Sequence, residues 1–425
     1  MSHSSLAVRL RGFGRVAPIS DPFVTLALCL SVVTLVGFDA QIMAYVSPRL
    51  VILWGVDGAA FGPALSAGLI GLMLGAPMLG TLADRIGRKA VLVLSTVWFG
   101  IFALLTTLAW SVETMVVLRL LTGLGLGGTL PAAIALISEY AIERHRATFV
   151  TITICGFAIG PAIGGFVAAP LIARWGWHGP FIVGGALPLL LAPMLWRWMP
   201  EATGLSGPPA APDRALEPKP HVAELFAGRR HLGTPLLWTT MFLNLVALNL
   251  IISWLPIVLS ELGFSFAQAT SSTAMFHIGG LIGGLALGAL VDRYGYFRVG
   301  ALTLIAGCAC VIAIGYSGGS IYALRVSILL AGGCVVGAQT LLNSLSGMYY
   351  PLSIRATGSG WALGVGRLGA AVGPLLGGVL MGQRLDHATL FYIEAIPLYF
   401  AAIACLALRR RVPPGFRIAG VDPRV

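Results

Sequence analysis

Long apolar segments separated by short polar turns follow one another along the chain from Pro22 to Leu408. Each segment holds about twenty apolar residues, the length that an α-helix needs to cross a hydrocarbon core of about 30 Å. The apolar runs are continuous, whereas the strands of a membrane barrel alternate between apolar and polar positions, so the pattern predicts helices. Twelve transmembrane helices are predicted, at 22–46, 61–82, 91–110, 113–139, 147–172, 179–199, 233–260, 270–291, 298–316, 321–348, 356–382 and 389–408.

The composition also indicates a membrane protein. Of the 425 residues, 57% are hydrophobic and 10% are charged, whereas about 25% of the residues in soluble proteins are charged. The chain lacks the charge to cover a soluble surface, and its net charge of +11 is spread over short loops rather than gathered on a nucleic-acid-binding face. The six cysteines lie in apolar segments without a C-x-x-C pair, so neither a metal site nor a disulfide framework is predicted.

The basic residues predict the orientation in the membrane. With both termini on one side, 21 of the 27 Lys and Arg residues fall in connecting segments on that side and 3 on the other. Because basic loops are retained in the cytoplasm, we expect a multi-pass protein of a bacterial inner membrane with both termini cytoplasmic. A proline-rich stretch, 200–232, is predicted as a cytoplasmic linker between an N-terminal six-helix bundle (1–199) and a C-terminal six-helix bundle (233–425).

The two predicted bundles repeat one another. The motif G-T-L-A-D-R-I-G-R-K at 80–89 follows span 2, and a degenerate copy, G-A-L-V-D-R-Y-G, stands 208 residues later at 288–295. Likewise, R-A-T at 146–148 recurs 209 residues later at 355–357. A duplicated helical unit is typical of transporters that expose a site near the membrane midplane to each side in turn.

These motifs resemble those of the major facilitator superfamily, and the resemblance covers nearly the whole chain. Further stretches resemble its aromatic acid:proton symporters: G-F-D at 37–39, R-L-L-T-G-L-G-L-G-G at 119–128 with S-E-Y at 138–140, and G-W-A-L-G-V-G-R at 360–367. The resemblance implies an all-α polytopic fold of twelve transmembrane helices in two six-helix bundles. It also implies proton-coupled uptake of a benzoate-like or hydroxybenzoate-like acid, or of a related organic acid.

A proton-coupled exporter of drugs or organic anions is the second hypothesis. The sequence G-F-A-I-G-P-A-I-G-G at 156–165 resembles the fifth-helix motif of drug:proton antiporters, and Val36 stands where the aromatic acid symporters usually have an acidic residue. The chain contains no metalloprotease or serine-hydrolase motif in a reachable position, so an enzyme is not predicted. We expect no cofactor, with the proton as the coupling ion. The expected partners of a monomeric chain are a small organic acid, protons and the lipid bilayer, and no nucleic acid.

Two charged residues within predicted spans are candidates for proton coupling. Asp39 lies about 25 Å along span 1, and Arg119 lies near the start of span 4, which runs in the opposite direction, so the two are at similar depth. A charge inside a membrane normally has a partner or an aqueous cavity, and a carboxylate beside an arginine can serve as a proton carrier. A purely structural ion pair is the alternative.

Glu139 is the third candidate for proton coupling. It lies about 30 Å beyond Arg119 on the same helix, so the two cannot touch. We place Glu139 at the cytoplasmic end, near Arg85, Arg88 or Arg146, as an inner gate or charge relay. An ordinary carboxylate at a helix end is the alternative.

The turns after spans 2 and 8 are predicted to act as a conformational latch. Glycine permits a tight turn and a close approach of helices, and an acidic residue can bind a helix end in one state and release it in the other. Basic residues that only fix the topology are the alternative. The residues assigned to this gating motif are Gly80, Asp84, Arg85, Gly87, Arg88, Lys89, Asp292 and Arg355.

Arg367 is predicted to bind the carboxylate of the substrate. It follows Arg355 by twelve residues, so it lies about 18 Å into span 11, with glycines on both sides that leave space. Arginine stays protonated and binds a carboxylate through two parallel hydrogen bonds. An ion pair with Glu394 or Asp39 is the alternative. The sequence assigns no role to Glu394 itself, and Arg325 is predicted at the outer rim.

Other polar and aromatic side chains within the spans complete the predicted substrate site. They can hydrogen-bond a substrate or stack on a ring, although contacts between helices explain them equally well. They are Tyr45 in span 1, Asn244 and Trp254 in span 7, His277 in span 8, and Gln339 and Asn343 in span 10.

Overall fold

The computed structural model of the protein describes residues 21–199, 222–228, 230–317, 320–351, 353–383 and 385–411. In these ranges the chain forms twelve long helices: α1 (Pro22–Trp54), α2 (Gly62–Ile86), α3 (Arg88–Thr106), α4 (Val112–Tyr140), α5 (Arg146–Trp175), α6 (His178–Trp198), α7 (Arg230–Glu261), α8 (Phe266–Tyr294), α9 (Tyr296–Gly315), α10 (Ile321–Tyr349), α11 (Arg355–Gly382) and α12 (His387–Arg409). All twelve are long and apolar enough to cross a membrane. The predicted all-α fold with twelve spans is confirmed.

The first helix is longer than the predicted span, which ended at residue 46. Asp21 caps its start, since the carboxylate accepts a hydrogen bond from the N–H of Phe23 at 2.8 Å. The helix passes through Pro48 and ends at Gly55, which has a φ of 62°. A residue with a Cβ rarely adopts this left-handed conformation, so the glycine sets the end of α1.

Glycines bring the same pair of helices together in each half of the chain. A methyl group at Gly71 of α2 would lie 2.2 Å from the carbonyl oxygen of Leu120 on α4. A methyl group at Gly279 of α8 would lie 1.9 Å from the carbonyl oxygen of Leu329 on α10. Gly279 follows Gly71 by 208 residues, and Leu329 follows Leu120 by 209. The sequence repeat therefore corresponds to a repeated backbone-to-backbone helix contact.

Two names describe the ends of the molecule. We call the end at residues 86–88, where α2 turns into α3, the motif end. The end with the short 3-10 helix Gly58–Phe61 is the opposite end. Helices α1–α6 are the N half and α7–α12 are the C half.

The two halves meet near the opposite end. A methyl group at Gly62 of α2 would lie 3.2 Å from the Cα of Gly378 on α11. A methyl group at Gly165 of α5 would lie 2.6 Å from the carbonyl oxygen of Thr270 on α8. These glycines let backbones of different halves pack in direct contact, which closes the opposite end.

Toward the motif end there is open space between the helices. A methyl group at Gly80 of α2 or Gly288 of α8 would meet no atom within 4 Å, and the same holds for Gly360 and Gly364 in the first turns of α11. The same helices touch near the opposite end. In the described part of the structure, the glycine contacts between the two halves thus lie near the opposite end, and the space beside these four glycines is open toward the motif end.

The start of the C half differs from the predicted boundary at residue 233. Helix α7 begins at Arg230, and a 3-10 helix, Val222–Phe226, precedes it. Leu225 of this segment is fully buried, and its carbonyl oxygen accepts a hydrogen bond from Thr234 Oγ1 at 2.6 Å. The end of the predicted linker is thus packed against α7, while residues 200–221 lie outside the described ranges. The division into two bundles at these boundaries stays a prediction.

Candidate functional site

Asp39 and Arg119 form a buried ion pair between α1 and α4. Arg119 donates from Nη2 to Oδ2 of Asp39 at 2.8 Å and from Nη1 to Oδ1 at 3.2 Å. It also donates from Nη2 to the backbone carbonyl of Asp39 at 2.8 Å. The side chains of Asp39 and Arg119 are 0% and 2% exposed. The depths inferred from the sequence placed these residues within reach, and the structure shows that they pair.

The surroundings of this ion pair are mostly apolar. The Phe181 ring on α6 lies 5.7 Å from the guanidinium carbon of Arg119, a cation–π contact. Gly68 of α2 leaves room beside the guanidinium, where a methyl group would lie 3.7 Å from Nη2. A small cavity borders Arg119 on this side and is lined by Ala40, Met43, Ala64 and Leu65 among others. Because charges in such surroundings are poorly solvated, each partner needs the other.

A second ion pair joins Arg88 at the start of α3 to Glu139 near the end of α4, at the motif end. The side chains are 39% and 32% exposed, so water screens this pair. Arg88 is one of the three partners that the sequence offered for Glu139. In the C half, the position 208 residues after Arg88 is Tyr296, whose hydroxyl contacts the sulfur of Met348 at 3.9 Å. The repeated contact is ionic in the N half and neutral in the C half.

The arginines of the C half have no acidic partner among the described residues. Arg325 donates to the hydroxyls of Ser271 at 3.1 Å and Ser272 at 3.4 Å. Arg367 is half-buried in α11, and no described carboxylate lies within ion-pair distance of it. The alternative that Arg367 pairs with Asp39 or Glu394 does not hold in this structure, because Asp39 is bonded to Arg119 and no ion pair of Glu394 occurs in the described part.

The face of α11 that carries Arg367 is open toward the motif end. Gly364 and Gly360 precede Arg367 by three and seven residues, so all three positions share one side of the helix. Methyl groups at these two glycines would meet no atom within 4 Å. This face of α11 therefore leaves space on the motif-end side of a guanidinium that has no acidic partner among the described residues.

Three amide side chains on α7 and α10 form a hydrogen-bonded chain. Asn244 donates from Nδ2 to Oε1 of Gln339 at 2.8 Å and to the carbonyl oxygen of Val335 at 3.3 Å. Gln339 donates from Nε2 to Oδ1 of Asn343 at 2.9 Å. Asn244 is buried, Gln339 is half-buried and Asn343 is exposed. This amide chain thus runs from the interface of α7 and α10 toward the open space at the motif end.

Two of the aromatic candidates are engaged in contacts between helices. The indole N–H of Trp254 donates to the carbonyl oxygen of Pro374 on α11 at 3.0 Å. The hydroxyl of Tyr45 donates to the carbonyl oxygen of Pro161 on α5 at 2.8 Å. Both side chains are buried. Their polar atoms stabilise helix packing, and the predicted contact with a substrate stays a prediction.

His277 and Glu394 are buried with an unsatisfied polar atom each. Among the described residues, Nε2 of His277 on α8 and Oε2 of Glu394 on α12 have no hydrogen-bond partner. His277 lies beside Phe276, whose backbone packs closely against Gly332 of α10. Glu394 lies among the apolar side chains of α12. The structure does not bring either residue into contact with Arg367.

The gating-motif residues lie at the motif end. Gly87 has a φ of 94° and Gly295, its counterpart, a φ of 82°, so both turns need glycine. Asp84, Arg85 and Asp292 are found in the last turns of α2 and α8. Lys89 and Arg355 also make contacts at this end. The Nζ of Lys89 lies 5.7 Å from the Trp196 ring. Arg355 donates from Nε to the carbonyl oxygen of Tyr350 at 3.3 Å.

Gln41, which was not among the candidates from the sequence, links the two halves. Its Nε2 donates to the carbonyl oxygen of Ile252 on α7 at 2.7 Å, and the side chain is buried. Gln41 stands two residues after Asp39, so the helix that carries the acidic group also carries a contact that closes the opposite end. An amide within an apolar span was the available signal.

The sequence and the fold both resemble those of known transport proteins. The sequence matches the Major Facilitator Superfamily over residues 28–366. The chain belongs to this superfamily. As a major facilitator, it is a transporter and not an enzyme, and the twelve apolar helices make it a multi-pass membrane protein.

Curated relatives cover almost the whole chain. The 4-hydroxybenzoate transporter of Pseudomonas putida is 39% identical over 406 residues, with 89% of this chain and 90% of the relative covered. The gallate transporter of the same organism is 37% identical, with 90% of each chain covered. The 3-(3-hydroxy-phenyl)propionate transporter of Escherichia coli (strain K12) is 36% identical, with 92% of this chain and 95% of the relative covered.

Solved structures share the fold. A crystal structure of a D-xylose–proton symporter has a TM-score of 0.76 at 19% identity, with 92% of this major facilitator and 98% of the other chain covered. An inward-facing, occupied bacterial homologue of the human lysosomal transporter Spinster has a TM-score of 0.75 at 17% identity, with 92% and 97% covered. At these identities the likeness concerns the fold alone.

Proposed function

We propose that the protein imports an aromatic carboxylate together with protons across a bacterial inner membrane. The observation that carries this proposal is Arg367, a half-buried arginine without an acidic partner among the described residues, on an open face of α11. A guanidinium in such a place binds a carboxylate through two parallel hydrogen bonds. The names of relatives with 36–39% identity, which transport gallate, 4-hydroxybenzoate and a hydroxyphenylpropionate, support an aromatic acid as substrate.

The proton is proposed to bind at Asp39. Its carboxylate is the buried acid that faces a cation, Arg119, so protonation would release the guanidinium from its ionic partner. Asp39 lies on α1, the helix whose Gln41 bonds to α7 of the other half. Protonation of Asp39 can thus bias the contact between halves, which is what coupling of a proton to a conformational change requires.

The motif end is proposed to face the cytoplasm. The count of basic residues in the loops supports this orientation, and it puts both termini inside. The open space between the helices at the motif end then faces the cytoplasm, as in a state that releases an imported substrate. One chain provides both halves of the pathway, so we propose that a monomer is sufficient for transport.

Uptake into proteoliposomes tests this function. The purified protein is reconstituted with an acidic exterior, and labelled 4-hydroxybenzoate, gallate and benzoate are supplied outside. We expect accumulation above the external concentration that a protonophore abolishes, while protein-free liposomes under the same gradient define the passive entry of protonated acid. Absence of protein-dependent uptake of every aromatic acid would refute the proposal.

The exporter hypothesis predicts movement in the opposite direction, which is measured in liposomes loaded with the compound under the same pH gradient. If protons moving in drive an organic anion or a drug out of preloaded liposomes, the protein is an antiporter. Arg367 would then not be needed for transport of uncharged drugs.

A further inference from the structure

The direction of the amide chain between α7 and α10 is fixed by one backbone atom. The carbonyl oxygen of Val335 can only accept a hydrogen bond, so the amide nitrogen of Asn244 must face it. Asn244 Nδ2 then also faces Gln339, which must present its oxygen. The nitrogen of Gln339 therefore faces the oxygen of Asn343. A reversal of any of the three amides would bring two donors or two acceptors together.

The hydrogen-bonded amide chain consequently ends in a hydrogen-bond donor. Asn343 has its oxygen engaged by Gln339, which leaves its NH₂ group directed away from the chain. Asn343 is exposed, whereas the other end of the chain, Asn244 Oδ1, is buried without a partner among the described residues. The NH₂ group of Asn343 is thus a neutral hydrogen-bond donor with a fixed orientation that faces the open space at the motif end.

Helices α10 and α11 pack against each other, and the amide chain starts at the depth of Arg367. A methyl group at Gly366 would lie 2.9 Å from Leu245 Cδ1, and one at Gly369 would lie 2.3 Å from the carbonyl oxygen of Phe242. Arg367 is therefore level with residues 242–245 of α7, the segment that contains Asn244.

The side chains of Arg367 and Asn343 lean in opposite directions along the helix axes. Asn343 lies one helical turn from Gln339, on the side of the motif end. In a helix the Cα–Cβ bond tilts toward the N-terminus. Helix α11 begins at the motif end and α10 begins at the opposite end, so Arg367 leans toward the motif end and Asn343 leans away from it.

We propose that Asn343, oriented by Gln339 and Asn244, donates a hydrogen bond to an oxygen substituent on the aromatic ring of the substrate. Arg367 binds the carboxylate at the other end of the same molecule. This inference rests on the proposed function and deepens it: the amide chain is the element that selects ring-hydroxylated acids over unsubstituted ones. Asn343 is the contact residue, and Asn244 and Gln339 are positioning residues.

Selectivity between two substrates tests the inference. In proteoliposomes, the half-saturating concentrations for 4-hydroxybenzoate and benzoate are measured in the wild type and in Asn343→Leu. We expect the variant to lose affinity for 4-hydroxybenzoate by about five- to tenfold, the effect of one neutral hydrogen bond, and to keep its affinity for benzoate. Asn244→Leu is expected to reduce the same preference by a smaller factor, because Asn343 remains but its orientation is no longer fixed.

Asn249 provides the matched control. It is an asparagine on α7 like Asn244, but its Nδ2 donates to Leu245 of its own helix at 3.0 Å. Asn249→Leu is expected to leave the ratio of the two affinities unchanged. Equal changes for both substrates in Asn343→Leu, or no change, would overturn the inference while uptake of benzoate still supports the proposed function. Absence of any aromatic acid uptake by the wild type would refute the proposed function itself.

The direction of the hydrogen bonds in the amide chain is tested with Asn343→Asp. Aspartate accepts the bond from Gln339 but has no donor to offer, so a phenol can still bind by donating its own proton. A methoxy group has no proton to donate. We expect this variant to keep 4-hydroxybenzoate and to lose 4-methoxybenzoate relative to benzoate. An unchanged affinity for 4-methoxybenzoate, measured against the wild type, would show that Asn343 does not contact the ring substituent.

Discussion

Arg119 holds Asp39 through both carboxylate oxygens and the backbone carbonyl, with N–O distances of 2.8 to 3.2 Å across the interface of α1 and α4. The two halves differ in what stands beside these arginines, Arg119 and Arg367. In the N half, the buried arginine is neutralised by a protein carboxylate. In the described part of the C half, Arg367 has no protein carboxylate beside it, so the carboxylate of a substrate can take that position.

Asp39→Asn is predicted to separate substrate movement from proton movement. The amide keeps the shape of the carboxylate but neither binds nor releases a proton at physiological pH. We expect gradient-driven accumulation to be lost while exchange of labelled for unlabelled substrate across the membrane continues. Exchange and accumulation are measured on the same proteoliposomes.

The loss of a counter-ion has its own effect on stability. A buried charge that loses its partner costs about 3–5 kcal/mol, so Asp39→Asn with Arg119→Gln is the better-folded comparison, and it too should fail to accumulate substrate. Asp57→Asn is the control, because Asp57 only caps the Gly58–Phe61 helix and asparagine caps equally well. Full accumulation by Asp39→Asn would remove Asp39 from the coupling mechanism.

Arg367→Lys is predicted to weaken substrate binding although the charge is kept. Lysine cannot form the two parallel hydrogen bonds of a guanidinium with a carboxylate. We expect the half-saturating concentration for 4-hydroxybenzoate to rise by about tenfold or more, which corresponds to about 1.4 kcal/mol. Competition by 4-hydroxybenzamide, which lacks the charge, should change little.

Arg325→Lys is the matched control for Arg367. Arg325 is also an arginine of the C half without an acidic partner in the described structure, but it bonds to Ser271 and Ser272 near the opposite end. Its conservative replacement should leave the affinity for the carboxylate as in the wild type. Equal losses in both variants would indicate that neither arginine binds the substrate directly.

Glu139→Gln is predicted to slow transport more than it destabilises the protein. The Arg88–Glu139 pair is about one third exposed, and such pairs contribute at most about 1 kcal/mol to stability. We expect a severalfold lower maximal rate with nearly unchanged thermal unfolding in detergent. Exchange of the charges, Arg88→Glu with Glu139→Arg, should recover part of the rate. A wild-type rate in Glu139→Gln would leave Glu139 as an ordinary carboxylate at a helix end.

A disulfide between the 3-10 helix Gly58–Phe61 and the end of α11 is predicted to lock the closed opposite end. The Cβ of a residue at 382 would lie 3.7 Å from the Cβ of Ala59, a separation that suits a disulfide, so Ala59→Cys with Gly382→Cys brings the two thiols within bonding reach. Oxidation should stop uptake, and a reductant should restore it. Each single variant is the control for the free native cysteines. Continued uptake by the cross-linked protein would show that the halves need not separate there.

Several features of the fold could be predicted by counting residues along helices. The number of spans and the common depth of Asp39 and Arg119 depend on the constant rise of a helix, and the repeat depends on constant offsets between motifs. The same count placed Glu139 near Arg85, Arg88 or Arg146, and in the structure it pairs with Arg88. These features survive small errors in helix ends, such as the extension of α1 to Trp54.

The sequence did not show which side chains are already in use. Trp254 and Tyr45 look like candidates for a substrate site, yet both donate to backbone carbonyls of neighbouring helices. Prolines at 374 and 161 supply these acceptors, which no pattern in the sequence links to the donors. Gln41 was missed for a related reason, because its bond to Ile252 depends on how the two halves meet.

Proton movement driven by the substrate tests the central claim most directly. Proteoliposomes with equal pH on both sides receive 4-hydroxybenzoate outside, and a trapped dye reports the internal pH, with protein-free liposomes as the control for passive entry. For the wild type we predict protein-dependent acidification inside in step with substrate entry, and none for Asp39→Asn. Substrate entry without acidification, or acidification that accompanies substrate exit, would contradict proton-coupled import.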